Sequence, residues 1–256
     1  MVIEKHNFNK NVENIYMIFL GEITFKSGEF YYHTVLGISK IGDNTFEKDY
    51  VFLSVEEKEK LKRLRGKQIY NFLVGRFAVK NIVQHILNLN QKECSKFSVK
   101  NRSNGKPYIS GEGFQQMKVS ISHSGKYGLA IVSSNNITIG VDLEKKIIGM
   151  KEKKRFINEG NINIEYAVDA SLDFQDDEIY TIIWSAKEAL LKCLETGVIN
   201  NMASYDVLNV HICKGYVWGI FKNYPFYKFL GFEYNNYMVS IVYPGDMELY
   251  YFNKIL

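Results

Sequence analysis

With 256 residues, 46% of them hydrophobic and 23% charged, the chain has the composition of a globular protein with a substantial core, which excludes the disordered and fibrous classes. A net charge of +4 spread over a mixed-sign sequence says little about nucleic acid, and no apolar run approaches the ~18 residues of a membrane span, so neither nucleic acid nor membrane is expected as a partner. Cys94, Cys193 and Cys213 are too scattered for a disulfide framework or a zinc site, and the N-terminus lacks the order of a secretory signal. The expectation is a soluble, cytoplasmic protein with reduced thiols.

In chain order, "IYMIFL" and "YYHTVLGI" read as strands. The charged segment from Ser54 to Leu89 reads as helical: Ser54 and Glu57 have the spacing of a capping box, a break is expected near Gly66, and Ile69, Phe72, Leu73, Ala78, Ile82 and Ile86 form a helical stripe. Residues 118–144 alternate apolar and small polar side chains, with turn signals at 124–126 and at Asn135-Asn136, and predict three short strands. Residues 145–178 read as loops and short helices. "DDEIYTIIWSAKEALLKCLETG" predicts a helix with acids in its first turn and an end at Gly197. From Val207 onward come aromatic strands, with turns at Asn235-Asn236 and Pro244-Gly245. The order suggests two roughly repeated α+β halves, although no repeat of residue identity is present.

Chemistry gathers in "ISHSGKYGLAIVSSNNITIGVDLEKK". Taken as a simple antiparallel meander with a two-residue turn at 135 and 136, its last two strands would pair Tyr127 with Glu144 and Leu129 with Asp142, bringing two carboxylates toward His123. Alternation puts Asp142 and Glu144 on one face and Val141 and Leu143 on the other. Such a pair is a platform for Mg²⁺, which takes oxygen ligands and completes its shell from water and phosphate. A solvated strand edge with a turn histidine is the alternative. On the later helix, Ile183, Ala186, Ala189, Leu190, Cys193 and Leu194 form a core stripe, with Ser185, Glu188 and Lys192 opposite. Trp184 beside that polar face points to a cleft, whereas an ordinary surface ion pair of Glu188 and Lys192 remains possible. Lys106 in "NGKPY" stands on a rigid turn able to aim an ammonium at an anion, or on a plain exposed turn. "KEKLKRLRGK" at 58–67 offers six cations, or a solvated helix face.

"GKPY", "ISHSG", "IGVDLEK" and "WSAKEALLK" follow one another over residues 105–192, and "NFLVGRFAVK" precedes them at 71–80. In this order and spacing the chain resembles phosphopantetheinyl transferases of the surfactin-synthetase-activating type. The resemblance implies an α+β fold of two similar halves related by a pseudo-twofold axis, with antiparallel sheets each packed on a long helix. The halves would be residues 1–136, carrying coenzyme A phosphate contacts, and 137–256, carrying a metal site and the Trp-x-x-Lys-Glu helix. It implies transfer of 4′-phosphopantetheine from coenzyme A to a serine of an acyl or peptidyl carrier protein, with release of adenosine 3′,5′-bisphosphate. Asp142, Glu144 and Glu188 would hold Mg²⁺; Glu188 would also be a base for the serine, and Lys192 would orient the constellation. Lys60, Lys106, Ser122 and His123 would contact coenzyme A. Asn71 stands where a basic residue is common, and Ser120 where the family usually has Asn. The segment that usually meets the carrier, 145–177, follows the family only at "KRF". A monomer is expected. The other readings are a Mg²⁺-dependent phosphodiesterase or pyrophosphatase acting on a nucleotide, a non-catalytic relative that binds coenzyme A or an acidic partner, or a nucleic-acid binder using residues 58–67.

Overall fold

The computed structural model describes residues 11–12, 15–42, 50–114, 116–133, 137–148, 162–167, 174–194 and 202–255. The elements run β1 (Asn11–Val12), β2 (Ile15–Ser27), β3 (Phe30–Ile41), α1 (Val55–Arg63), α2 (Lys67–Leu87), α3 (Gln91–Cys94), β4 (Ser98–Asn101), β5 (Pro107–Ser110), β6 (Lys118–Ser124), β7 (Tyr127–Ser133) and β8 (Gly140–Lys145). They continue with β9 (Asn163–Tyr166), α4 (Asp176–Leu194), a 3₁₀ turn (Met202–Tyr205), β10 (Val207–Cys213), β11 (Tyr216–Phe221), β12 (Tyr227–Tyr234), β13 (Tyr237–Pro244) and β14 (Glu248–Lys254). Among the described residues, no helix is long and apolar enough to cross a membrane.

The fold is α+β, and its two halves repeat one plan, a long helix on the outer face of a sheet. The first sheet has the order β1-β2-β3-β7-β6, with β14 also paired to β2; the second has the order β8-β13-β12-β11-β10-β9. Pairing is antiparallel except at the edge of the second sheet, where β9 runs parallel to β10. Apolar side chains of α2 pack with Ala130 and Val132 on one side of the first sheet. Leu129 and Ile131, on its other side, meet Val141, Leu143, Leu230 and Ile241 of the second sheet. Helix α4 covers the far face of that sheet through Ile182, Ile183, Ala186 and Leu190. Four layers result, because each sheet has two apolar faces to bury.

The predicted capping box forms: Ser54 Oγ accepts from the Glu57 N–H, and the Glu57 carboxylate accepts from the Ser54 N–H at 2.9 Å. Ser54 also bonds Ser98 Oγ at 2.7 Å. Ser54→Ala should therefore lower unfolding stability by about 1–2 kcal/mol, measured in urea as a shift of midpoint at constant slope. The predicted break falls at Gly66, with φ +52°. The predicted stripe of α2 proves too narrow, since Phe72 through Val83 are buried all round. Even Lys80 is inside, 2.8 Å from Glu57 and bonded to the carbonyls of Cys94 and Phe97, because α1, α3 and β4 wrap the side of α2 that faces away from the sheet.

The meander over 118–144 is incorrect. Both edges of β7 are taken, by β6 and by β3, so β8 crosses to the second sheet and pairs with β13, Asp142 opposite Ser240 and Glu144 opposite Met238. The turn at 135–136 and the helix end at Gly197 lie outside the described residues. Within 145–178, expected to be loops and short helices, β9 is a four-residue strand. The Asn235-Asn236 turn forms, both residues with positive φ (+50° and +64°), the geometry that Asn tolerates in a tight hairpin.

Candidate active site

The site lies where the two edge strands β6 and β8 come together, closed on one side by α4. Alternation along β6 sends Val119 toward the α2 core and leaves Ser120 and Ser122 for β8. The Val141 N–H donates to Ser120 Oγ at 3.1 Å, so this serine ties one sheet to the other. Ser122 donates to Asp142 Oδ1 at 2.7 Å. As the strand period predicts, Val141 and Leu143 enter the core between the sheets, while Asp142 turns toward α4. Gly140 permits this close packing: a Cβ there would lie 2.0 Å from the Ala189 carbonyl oxygen.

On α4, Lys192 does not form an i, i+4 surface pair with Glu188. Its Nζ reaches across to Asp142 Oδ1 at 2.8 Å and to the Val141 carbonyl at 2.9 Å. Ser185, expected on the polar face, is wholly buried, with no hydrogen-bond partner for its Oγ. The core stripe holds at Ile183, Ala186, Ala189, Leu190 and Cys193, and Leu194 is partly buried. Trp184 faces the site as its position implied: the indole bonds the Glu144 side chain. Lys187, which periodicity did not single out, is buried and pairs with Asp206 at 2.6 Å, anchoring α4 from behind.

The electrostatics are strained in one direction. Burial, then the charges of Asp142 and Glu188, push the Glu144 carboxyl up to about 7, against the opposing effects of Lys192 and Trp184. Burial and then Asp142 push Glu188 up as well. Asp142 Oδ2 is buried without a hydrogen-bond partner. Crowded carboxylates with an orphaned oxygen fit a cation. Among the described residues, however, no three of His, Cys, Asp and Glu form a ready-made metal ligand set. The arrangement thus suits an ion that takes one or two carboxylates and completes its shell from phosphate and water, as Mg²⁺ does.

Two cavities, of about 270 and 420 Å³, share Gly105, Pro107 and Ile121 and adjoin beneath the predicted Gly-Lys-Pro turn. The first is walled by Lys106, Glu188, Leu191 and Lys192. The turn is braced by β4 and β5: Asn101 Nδ2 donates to the Gly105 carbonyl at 2.7 Å, and the Arg102 N–H to that of Lys106 at 2.8 Å. The second cavity is walled by Lys60, Gln68, Asn71, Arg76 and His123. His123 keeps an exposed edge. Crowding by the cleft walls, then the Lys192 and Lys67 charges, nevertheless hold its pKa below the usual imidazole value.

Of the basic run 58–67, Lys60 is the cation that lines this cavity, its Nζ 5.8 Å from the Phe72 ring centre. Lys62 pairs with Glu59 on the surface, and Arg65 caps the carbonyls of Lys62 and Leu64. Arg76 is the residue that sequence reasoning missed. It is buried over the Phe72 ring, bonds Asn101 at 2.8 Å, and leaves Nε without a partner, as Asn71 leaves Oδ1. Its signal was a charge inside an apolar helical run. The basic stretch 145–155 lies largely outside the described residues; Lys146, near its start, pairs with Glu178 at 2.7 Å.

No curated protein matches the chain. Residues 138–242, from just before β8 into β13, match the 4′-phosphopantetheinyl transferase superfamily, and it is this family that the part of the molecule carrying Asp142, Glu144, Glu188 and Lys192 resembles.

Proposed function

We propose that the protein transfers the 4′-phosphopantetheine of coenzyme A to a serine hydroxyl of an acyl or peptidyl carrier protein, with Mg²⁺, as a monomeric cytoplasmic enzyme of the surfactin-synthetase-activating type. The observation that carries the reading is Asp142, with one oxygen fixed by Ser122 and Lys192 and the other buried and unpartnered beside two carboxyls of raised pKa. A purely structural carboxylate would not leave an oxygen orphaned there.

In this reading the 420 Å³ cavity takes the nucleotide end of coenzyme A, with Lys60 and Arg76 as its cations, His123 as a neutral hydrogen-bond donor and Asn71 Oδ1 as a hydrogen-bond acceptor. Arg76, five residues beyond Asn71 on α2 and lining the same cavity, supplies the positive charge that Asn71 lacks. Lys106, on the turn between the cavities, meets the pyrophosphate, and Ser122 holds Asp142 in place for the metal. The serine oxygen attacks the β-phosphorus; the bond from that phosphorus to the bridging oxygen breaks, and adenosine 3′,5′-bisphosphate leaves. Glu188 takes the serine proton, a role suited to a carboxyl whose pKa its surroundings raise. Lys192 stabilises the charge on the transferred group. Asp142 and Glu144 would hold Mg²⁺, which would supply charge neutralisation for the pyrophosphate and the transferring phosphoryl group.

Incubation of a panel of apo carrier proteins with the protein, coenzyme A and Mg²⁺ should add the mass of one phosphopantetheine to at least one carrier. Consumption of coenzyme A with no carrier modified would instead indicate a hydrolase. His123→Ala should raise KM for coenzyme A roughly ten- to hundredfold with little change in kcat, because a neutral imidazole contributes binding to the anion and no chemistry. A kcat loss at saturating coenzyme A as large as the KM change would remove His123 from the binding role.

A further inference from the structure

The proposed chemistry uses the side of the molecule where β6 meets β8. Elsewhere on the same inter-sheet seam is a further cavity, of about 390 Å³, between β2 and β14 of the first sheet and β11 and β12 of the second. Its lining shares no residue with the cavities beside Glu188 or His123. The volume falls within the range of small-molecule sites.

Five aromatic rings build it. Phe19 and Phe232 are buried to about 5 and 6% exposure, whereas Tyr216, Tyr234 and Phe252 are half-buried. The rings meet at angles, Phe19 on Tyr234 at 74° and 5.4 Å, Phe232 on Phe252 at 57° and 5.8 Å. Such tilted contacts present faces and edges to the space between them instead of closing it by stacking. The Tyr234 hydroxyl is committed to the Ile18 carbonyl at 2.7 Å, which fixes that ring as a wall.

Charge at this cavity has a sign. Lys254, its Nζ 5.7 Å from the Phe19 ring centre, and Lys214, at the tip of the β10–β11 hairpin with φ +48°, both line it from exposed positions. The one acid in the lining, Glu233, accepts the Asn236 N–H at 3.2 Å and is thereby drawn to its own hairpin turn. Apolar faces within and two ammonium groups outside select a flat aromatic body with an anionic substituent. An aliphatic anion would leave the rings uncovered, and a neutral arene would leave the cations unused.

We propose that this cavity is a binding site for a small planar aromatic anion, such as an aryl carboxylate or aryl sulfonate. Because its walls come from both sheets, an occupant bridges the two halves of the molecule and stabilises them against separation.

The probe is 8-anilinonaphthalene-1-sulfonate, titrated by fluorescence into the full chain. It should bind at one site per chain, saturating coenzyme A should not displace it, and millimolar 2-naphthoate should. Lys214→Glu together with Lys254→Glu, both on exposed side chains, should weaken binding roughly tenfold, and Glu233→Lys should tighten it. The proposal is overturned if the double variant binds the probe as the wild type does, if coenzyme A displaces the probe, or if 2-naphthoate fails to. Coenzyme A affinity in the same variants should stay unchanged, so failure here is distinguishable from failure of the transferase reading.

Discussion

Glu188→Gln should lower carrier modification by roughly 10²- to 10³-fold while leaving the melting temperature within a degree or two of the wild type. The side chain is half-buried at the cavity wall, and the Asp142 charge acts on it more strongly than the opposing Lys192, so neutralising it relieves repulsion instead of breaking a pair. Asp142→Asn should lose transfer to a similar extent, but for a mixture of reasons. Asp142 is 4% exposed and holds both Ser122 and Lys192, so its replacement also costs stability, about 1–3 kcal/mol. Intact-mass measurement of the carrier, beside urea unfolding of each variant, separates the two effects. Full modification by Glu188→Gln would take the proton-accepting role away from that residue.

Glu144 makes stability depend on pH in the direction opposite to an ordinary ion-paired carboxylate. Its folded pKa, pushed from 4.5 up to about 7, means that between those values the folded protein holds a proton that the unfolded chain has released. Unfolding free energy therefore falls as pH rises through that window, and above about 7 the full cost of a buried, crowded carboxylate is present. A shift of that size corresponds to about 3 kcal/mol, and partial solvent exposure reduces it to roughly 2. Glu144→Gln, measured in EDTA, should then be more stable than the wild type at pH 8 and equal to it at pH 4. Added magnesium should narrow the gap at pH 8, because a dication beside the carboxylates favours their charged forms. Equal urea midpoints for wild type and Glu144→Gln at pH 8 without metal would contradict the account.

Local patterns were read correctly where a local cause produces them. Ser54 and Glu57 cap α1 because the two groups are one helical turn apart, and Asn235-Asn236 turn because Asn tolerates positive φ. Strand alternation correctly separated Asp142 from Val141 and Leu143, and the helical period correctly placed most of the α4 stripe. What failed depended on partners distant in sequence. The meander assumed that adjacent strands pair, yet β3, ninety residues earlier, occupies the edge of β7 that β8 would have used. The surface pair of Glu188 and Lys192, the alternative to a cleft, gives way to a contact that no local pattern names: β8 brings Asp142 within 2.8 Å of Lys192.

Sequence alone supplies the candidate residues and, for most of them, the face of the element they occupy, since periods of 2 and 3.6 are properties of a single strand or helix. It also carried the family likeness through four short motifs. The three-dimensional arrangement is what brings Ser122, Asp142 and Lys192, drawn from β6, β8 and α4, into one hydrogen-bonded centre, and what turns Arg76 and Asn71 toward a cavity with unpartnered atoms. The physical reason is that burial and charge proximity depend on which sheet a strand joins. That choice is made by competition among all the available strand edges, not by the strand's own residues.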